Sequence, residues 1–169
     1  MAIRPASKPS PKLQFRRASP QDAAVVAEIT DSAYSIYIPL LGRKPQPMTA
    51  DHRQMILEND VWLLEEEGQV LGILELIAEP GCLLIYSVAV RPGHQRQGLG
   101  RQLLAWAERR AALAALPRLR LYTNALMTAN IALYTRLGYQ ETKREPYMGS
   151  TLVHMAKQVA GGYGSARGS

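Results

Sequence analysis

Ser87-Val88-Ala89-Val90-Arg91-Pro92-Gly93-His94-Gln95-Arg96-Gln97-Gly98-Leu99-Gly100 joins a β-rich apolar run to an amphipathic helical stretch through a basic loop bearing three glycines. The first turn of a helix leaves four backbone N–H groups without intrahelical partners and carries about half a positive charge from the aligned peptide dipoles. A phosphate placed there is stabilised twice, and Gly98 and Gly100 remove the β-carbons that would keep its oxygens from the backbone. Two phosphate loops fail the spacing. Gly93 and Gly98 stand as in a nucleotide-hydrolysing loop, but Leu99-Gly100 replaces the Lys and Ser/Thr that would reach the terminal phosphates and Mg²⁺. Counted from Gly98, the third glycine of a dinucleotide fingerprint would fall on Leu103.

Working outward, Leu13 and Phe15 alternate with polar neighbours as in a strand, and Ser19-Pro20 opens a helix through Tyr34. Prolines and Gly42 break Ile38 to Met48 into an irregular loop, and Thr49 caps a second helix through Leu57. Three β-rich runs, Val61 to Leu64, Val70 to Ala78 and Leu83 to Val90, are separated by turn signals and suit an antiparallel meander. Leu99, Leu103, Trp106 and Leu113 then mark one face of a helix from Gly98 to Leu116, stopped by Pro117. A strand at Leu119 to Thr123, a helix at Thr128 to Leu137 and strands at Tyr139 to Arg144 and Thr151 to Lys157 complete a mixed α/β domain without internal repeats.

The chain has 169 residues, 47% of them hydrophobic, enough for one compact core. Met1 to Pro11 and the Gly/Ser-rich stretch 160–169 read as loose tails around a folded unit of residues 12–159. The formal charge of +6 favours an anionic partner, with nucleic acid, a membrane surface and a polyphosphate cofactor all open at this point. One cysteine, Cys82, makes no internal disulfide and reads as an apolar filler. The longest apolar run, Ala111 to Leu116, is far shorter than a membrane span, and the amino end carries no signal-peptide pattern, so a cytoplasmic, soluble protein is expected. His52, His94 and His154 lack metal-ligand spacing, and no metal is expected.

Gln95-Arg96-Gln97-Gly98-Leu99-Gly100, preceded by Val88-Ala89-Val90-x-Pro92, together with Asn130-Ile131-Ala132-Leu133-Tyr134-Thr135-Arg136-Leu137-Gly138-Tyr139, closely resembles the two sequence blocks of the GCN5-related N-acetyltransferase (GNAT) superfamily. The resemblance covers residues 12–157 in element order. It implies an α+β fold with a mixed, mostly antiparallel twisted sheet of about seven strands and about four helices, in which strands 4 and 5 are parallel and splay apart. It implies that backbone amides from Gln95 to Arg101 (Gln95, Arg96, Gln97, Gly98, Leu99, Gly100 and Arg101) bind the pyrophosphate of acetyl-coenzyme A. The pantetheine arm would run beside Val88, Ala89 and Val90 and past Asn130. A homodimer is compatible with the family.

By the same resemblance Tyr134 is the general acid, one helical turn from Asn130 and on the same face. A tyrosine with an unperturbed pKa of about 10 is protonated near neutrality and can donate to a departing thiolate. The attacking amine must be neutral, which at pH 7 costs roughly 4 to 5 kcal/mol for a lysine-like group and roughly 1 for an α-amine. Many members of that superfamily place a carboxylate on the strand carrying Val88 and Val90, whereas here it reads Leu83-Leu84-Ile85-Tyr86-Ser87. Glu75 on the neighbouring strand is the substitute candidate base, acting directly or through water, against the alternative of a solvent-facing glutamate. Tyr34, Tyr37 and Asn124 are candidates to line the amine acceptor, against simple loop packing and turn chemistry.

The Arg91, His94, Arg96 and Arg101 cluster lacks interleaved aromatics for base stacking, so it is assigned to the cofactor and not to nucleic acid, and no membrane partner is expected. The expected activity is acetyl transfer from acetyl-coenzyme A to a primary amine, of a small molecule or a protein, by direct attack in a ternary complex. The alternative is a noncatalytic acyl-coenzyme A-binding sensor or interaction domain, prompted by the missing strand carboxylate.

Overall fold

The structure is a computed structural model and describes residues 12–159. The two tails expected at 1–11 and 160–169 lie outside the described residues.

Strands β1 (Leu13–Arg17), β2 (Asp60–Glu66), β3 (Gln69–Glu79), β4 (Cys82–Val90), β5 (Arg118–Asn124), β6 (Gln140–Tyr147) and β7 (Ser150–Gln158) form one sheet in the order β1-β2-β3-β4-β5-β7-β6. Every pairing is antiparallel except β4 with β5. The α-helices are α1 (Ala23–Tyr34), the one-turn α2 (Ile38–Leu41), α3 (His52–Glu58), α4 (Leu99–Leu113) and α5 (Thr128–Arg136). The expected fold class is present.

Two cores hold the layers together. On one face Leu99, Leu103, Ala107 and Ala111, spaced four apart on α4, press onto Leu74, Leu76 and Ile85. Trp106 is only partly buried there and Leu113 is 72% exposed, so the buried stripe runs through the alanines, whose small side chains let the helix lie close to the sheet. Gly72 serves the same approach: a β-carbon there would stand 2.9 Å from Leu103 Cδ1. The opposite face is covered by α1 and α3, whose Val26, Ile29 and Ile56 pack on Val61, Leu63, Ile73 and Ala89. Burying a side chain such as Ile29 or Leu103 contributes about 1.5–3 kcal/mol each.

Local chemistry corrects several expected boundaries. Pro20 opens a 3-10 turn, Pro20–Asp22, whose Asp22 carboxylate accepts from the Ser19 backbone N–H at 2.8 Å and pairs with Arg16 at 2.9 Å. The stretch read as irregular contains α2, ended by Gly42 at φ +69°, which only glycine adopts cheaply. Thr49 belongs to a 3-10 turn, and α3 is capped by Asp51, which accepts from the Gln54 N–H at 3.1 Å. The fourth helix stops at Leu113, three residues before the expected end, with Ala115 at φ +54°.

The feature that shapes the site lies in the middle of the sheet. Pairing of β3 with β4 runs Glu75 to Ser87 and then Leu76 to Ile85, so Tyr86 is an extra residue bulged out of β4. Parallel pairing of β4 with β5 is confined to Leu83 with Leu119 and Leu84 with Arg120, just before that bulge. Beyond it the two strands diverge, and the gap between them opens into a cleft.

Candidate active site

At the end of β4 the backbone N–H of Arg91 donates to Leu71 C=O at 2.7 Å, and that of His94 donates to Arg91 C=O at 3.0 Å. The loop then takes left-handed backbone at Arg96 (φ +64°) and Gly98 (φ +76°). Arginine is a costlier residue than glycine for such a conformation. The Gln102 N–H bonds back to Gly98 C=O at 3.1 Å, so the amides of Leu99, Gly100 and Arg101 precede the first intrahelical bond. A β-carbon on Gly98 or Gly100 would meet nothing within 4 Å, and open space therefore lies in front of these donors.

That space is one end of a cavity of about 370 Å³ between the loop, β4 and α5. Gln95, Arg96, Gly98, Gly100 and Arg101 line it, as do Val88, Ala89 and Val90. Leu99 also borders it, but its side chain is buried in the core and only its backbone can serve a ligand. Gln97 is exposed and outside the lining. Arg91, expected among the phosphate-facing cations, instead bonds Glu28 at 2.8 Å and Val70 C=O at 2.9 Å, because the strand end points it back at α1. His94, Arg96 and Arg101 remain at the mouth, and among the described residues no carboxylate lines the cavity. Backbone donors, three basic side chains and a Cβ-free floor suit a polyanion such as the diphosphate of coenzyme A. The Val88 and Val90 carbonyls accept from Tyr34 Oη (3.1 Å) and Gln95 Nε2 (3.3 Å), which leaves each a second lone pair.

A second, smaller cavity of about 80 Å³ opens on the other side of β4, between the splayed strands and the α2 loop. The two cavities share four residues, Tyr34, Val88, Asn130 and Tyr134. This junction is where a group entering from one side meets a group entering from the other.

Tyr134 lies partly buried at the junction, its ring edge-on to Tyr139 at 5.8 Å. Burial, with Tyr34 nearby, pushes its phenol far above the ordinary tyrosine value, so it stays protonated at physiological pH. Tyr37, a candidate to line the amine acceptor, donates to Asn130 Oδ1 at 3.4 Å and borders the larger cavity and not the smaller one. Tyr34 lines both.

Glu75 does not face solvent. Leu74 and Leu76 point to the α4 face, and the opposite face, which the alternation left open to water, is roofed by α1 and α3. Glu75 is completely buried and lines neither cavity. Its Oε2 lies 3.2 Å from His52 Nδ1, and its Oε1 has no partner among the described residues. Ser87, directly opposite it across the β3–β4 ladder, lines the smaller cavity, and Ser87 Oγ donates to Tyr34 Oη at 3.5 Å. Because Glu75 lines neither cavity, its direct contact with an amine is closed.

His52 is not legible from the chain alone as a partner of Glu75, because the contact spans separate elements. Nor does the chain alone mark Tyr86, Tyr122, Tyr147 and Arg43, which line the smaller cavity. Asn124 makes the turn contacts that were its alternative reading, accepting from the Leu126 N–H and from Ser150 Oγ at 3.0 Å each, yet it also lines this cavity. Cys82 is buried away from both cavities, and burial raises its thiol. Among the described residues no cluster of metal-ligating side chains occurs, and no helix is long and apolar enough to cross a membrane.

The chain is 34% identical over 80 residues to a mycothiol acetyltransferase of Streptomyces avermitilis, a match covering 46% of this chain and 26% of that protein. It spans between about a quarter and two-fifths of the curated relatives it matches. The ribosomal-protein-S18-alanine N-acetyltransferase of Escherichia coli superposes with a TM-score of 0.70 at 20% identity, covering 88% of this chain and 94% of that one. The PaiA N-acetyltransferase of Thermoplasma acidophilum, solved in complex with coenzyme A, superposes at 0.72 and 13% identity, covering 87% and 99%. The model of the Acetyltransferase (GNAT) family matches residues 26–139, a span that contains the bulged β4, the anion loop and the Asn130 helix, and the chain belongs to that family.

Proposed function

We propose that the protein transfers the acetyl group of acetyl-coenzyme A to a primary amine by direct attack in a ternary complex. The observation that carries this reading is the meeting of a polyanion-suited cavity and a smaller aromatic cavity at Tyr34, Val88, Asn130 and Tyr134. Coenzyme A would bring a thioester to that junction, with an acyl carbon open to a nucleophile and a thiolate as leaving group.

The chain's own residues then have separable tasks. Amides from Gln95 to Arg101 hold the phosphates, and Asn130 orients the arm between α5 and β4. The Tyr134 hydroxyl, held neutral by burial, supplies the proton to the departing sulfur. The amine's proton leaves past Ser87 toward Glu75, whose unpartnered Oε1 is free to accept it. His52 holds the other carboxylate oxygen.

The test is free-thiol release from acetyl-coenzyme A by the purified protein with a panel of primary amines. Amine-dependent release that Tyr134→Phe suppresses supports transfer. Coenzyme A binding without such release, unchanged by Tyr134→Phe, would make the protein a noncatalytic acyl-coenzyme A sensor.

A further inference from the structure

The smaller cavity carries a chemical signature of its own. Its walls hold five tyrosines, Tyr34, Tyr86, Tyr122, Tyr134 and Tyr147, with apolar side chains such as Leu121 and Leu152 between them, and among the described residues no aspartate or glutamate lines it. Burial pushes the Tyr86 phenol up to about 12, so it is a neutral donor at physiological pH. At about 80 Å³ the space holds on the order of half a dozen waters, which fits a single small ring or aliphatic body and not a folded segment.

Two donors there lack acceptors. Arg43, half-buried, stacks on the Tyr147 ring with its guanidinium carbon 5.1 Å from the centroid, and among the described residues no carboxylate pairs with it. Asn124, 4% exposed, spends its carbonyl on Leu126 and Ser150 and leaves Nδ2 unbonded. Among the described residues, this is the one buried polar side-chain atom without a partner whose residue lines the cavity. An amide left so costs about 1–3 kcal/mol, a cost that an arriving acceptor atom removes. Both donors sit at one end of the cavity: Ser150, which bonds Asn124, pairs across the hairpin with Tyr147, on which Arg43 rests.

We infer that the acceptor is a small amino acid: a primary amine on an aromatic or apolar body that carries a carboxylate, docked by Arg43 and Asn124. This rests on the acetyl-transfer reading and narrows it. A planar guanidinium already fixed on a ring presents a fork that matches a carboxylate bidentately. The tyrosine walls receive the apolar body, and the amine is directed to the junction with the larger cavity. A polyamine is disfavoured by the same inventory, since its extra cations would lie beside Arg43 with no carboxylate on the walls to meet them.

The test compares matched amines in the free-thiol assay: phenylalanine against phenethylamine, 4-(aminomethyl)benzoate against benzylamine, and spermidine. In at least one pair the carboxylated member is expected to show kcat/KM at least about tenfold higher. Arg43→Gln should collapse that ratio, chiefly through KM, and Arg43→Lys, which keeps the charge without the fork, should restore part of it. Equal use of both members of each pair, preference for spermidine, or a ratio unmoved by Arg43→Gln would overturn the inference while leaving acetyl transfer standing. If no amine releases thiol although coenzyme A binds, the transfer reading fails, and calorimetry then decides docking separately. Phenylalanine or 4-(aminomethyl)benzoate binding to the coenzyme A-loaded protein, and not to its Arg43→Gln variant, keeps the carboxylate site; no binding removes it.

Discussion

His52 Nδ1 stands 3.2 Å from Glu75 Oε2, between α3 and β3, in a layer sealed from water on both sides. The hydrogen bond to Glu75 raises the His52 pKa above its ordinary value of 6.5, burial opposes it, and the charges of Glu75, Asp31 and Asp51 add to the rise. A histidine whose folded pKa exceeds its unfolded one contributes stability that is complete below the unfolded value and is lost as pH rises through the folded one. The urea midpoint of the protein is therefore expected to fall as pH rises from about 6.5 through the folded pKa. Glu75→Gln, nearly isosteric, removes the cause and should flatten that part of the curve. An identical pH dependence in both proteins would show that the pair is not coupled to folding.

The same carboxylate has a kinetic signature. If protons leave the amine through Ser87 to Glu75, Glu75→Gln should lower kcat/KM at pH 7 by about 10²-fold, in the range of a lost general base. The deficit should shrink as pH approaches the pKa of the amine itself, because the fraction already neutral no longer needs a base. Ser87→Ala should reproduce the shape of that profile with a smaller loss, since water can replace the hydroxyl. A pH-independent deficit would assign Glu75 a structural role only.

Tyr134→Phe keeps the ring against Tyr139 and removes only the hydroxyl. The expected result is a fall of about 10²–10³-fold in kcat with KM for the amine little changed, as for loss of an acid acting in the transition state. Stopped-flow thiol release should show the loss in the chemical step. A change confined to KM would make the hydroxyl a binding group.

Much of this was legible in the chain and some was not, for identifiable reasons. The β4 run, the glycine loop and the Asn130 block are local patterns, and all three stand where their periodicity and caps put them. Apolarity alone marks the α4 stripe through Trp106 and Leu113, whereas the helix seats on Ala107 and Ala111, because close approach rewards small side chains that hydropathy undervalues. Glu75 shows the deeper difficulty. Alternation on one strand states which residues share a face and not what covers that face, so a fully buried carboxylate and a solvated one look alike until α1 and α3 are placed. Arg43 and His52 acquire their meaning from residues about a hundred and 23 positions away, Tyr147 and Glu75, contacts that no window on the sequence contains.

Gly100 separates binding from folding. It lies in the first turn of α4 with ordinary backbone, and a β-carbon there meets nothing in the protein, so Gly100→Ala should leave stability unchanged or raise it by up to about 1 kcal/mol through helix propensity. The added methyl would project into the space in front of the first-turn amides, where the phosphates are proposed to sit. Coenzyme A affinity is expected to fall by at least about tenfold, the loss expected when close backbone approach to an anion is blocked. Thermal melting and calorimetric titration of one preparation measure both effects, and the prediction is that they move in opposite directions. Gly98→Ala is the contrasting case: at φ +76° an alanine strains the backbone by about 1–2 kcal/mol, so there stability and affinity should fall together. Tight coenzyme A binding by a folded Gly100→Ala protein would mean that the diphosphate does not approach this turn of α4.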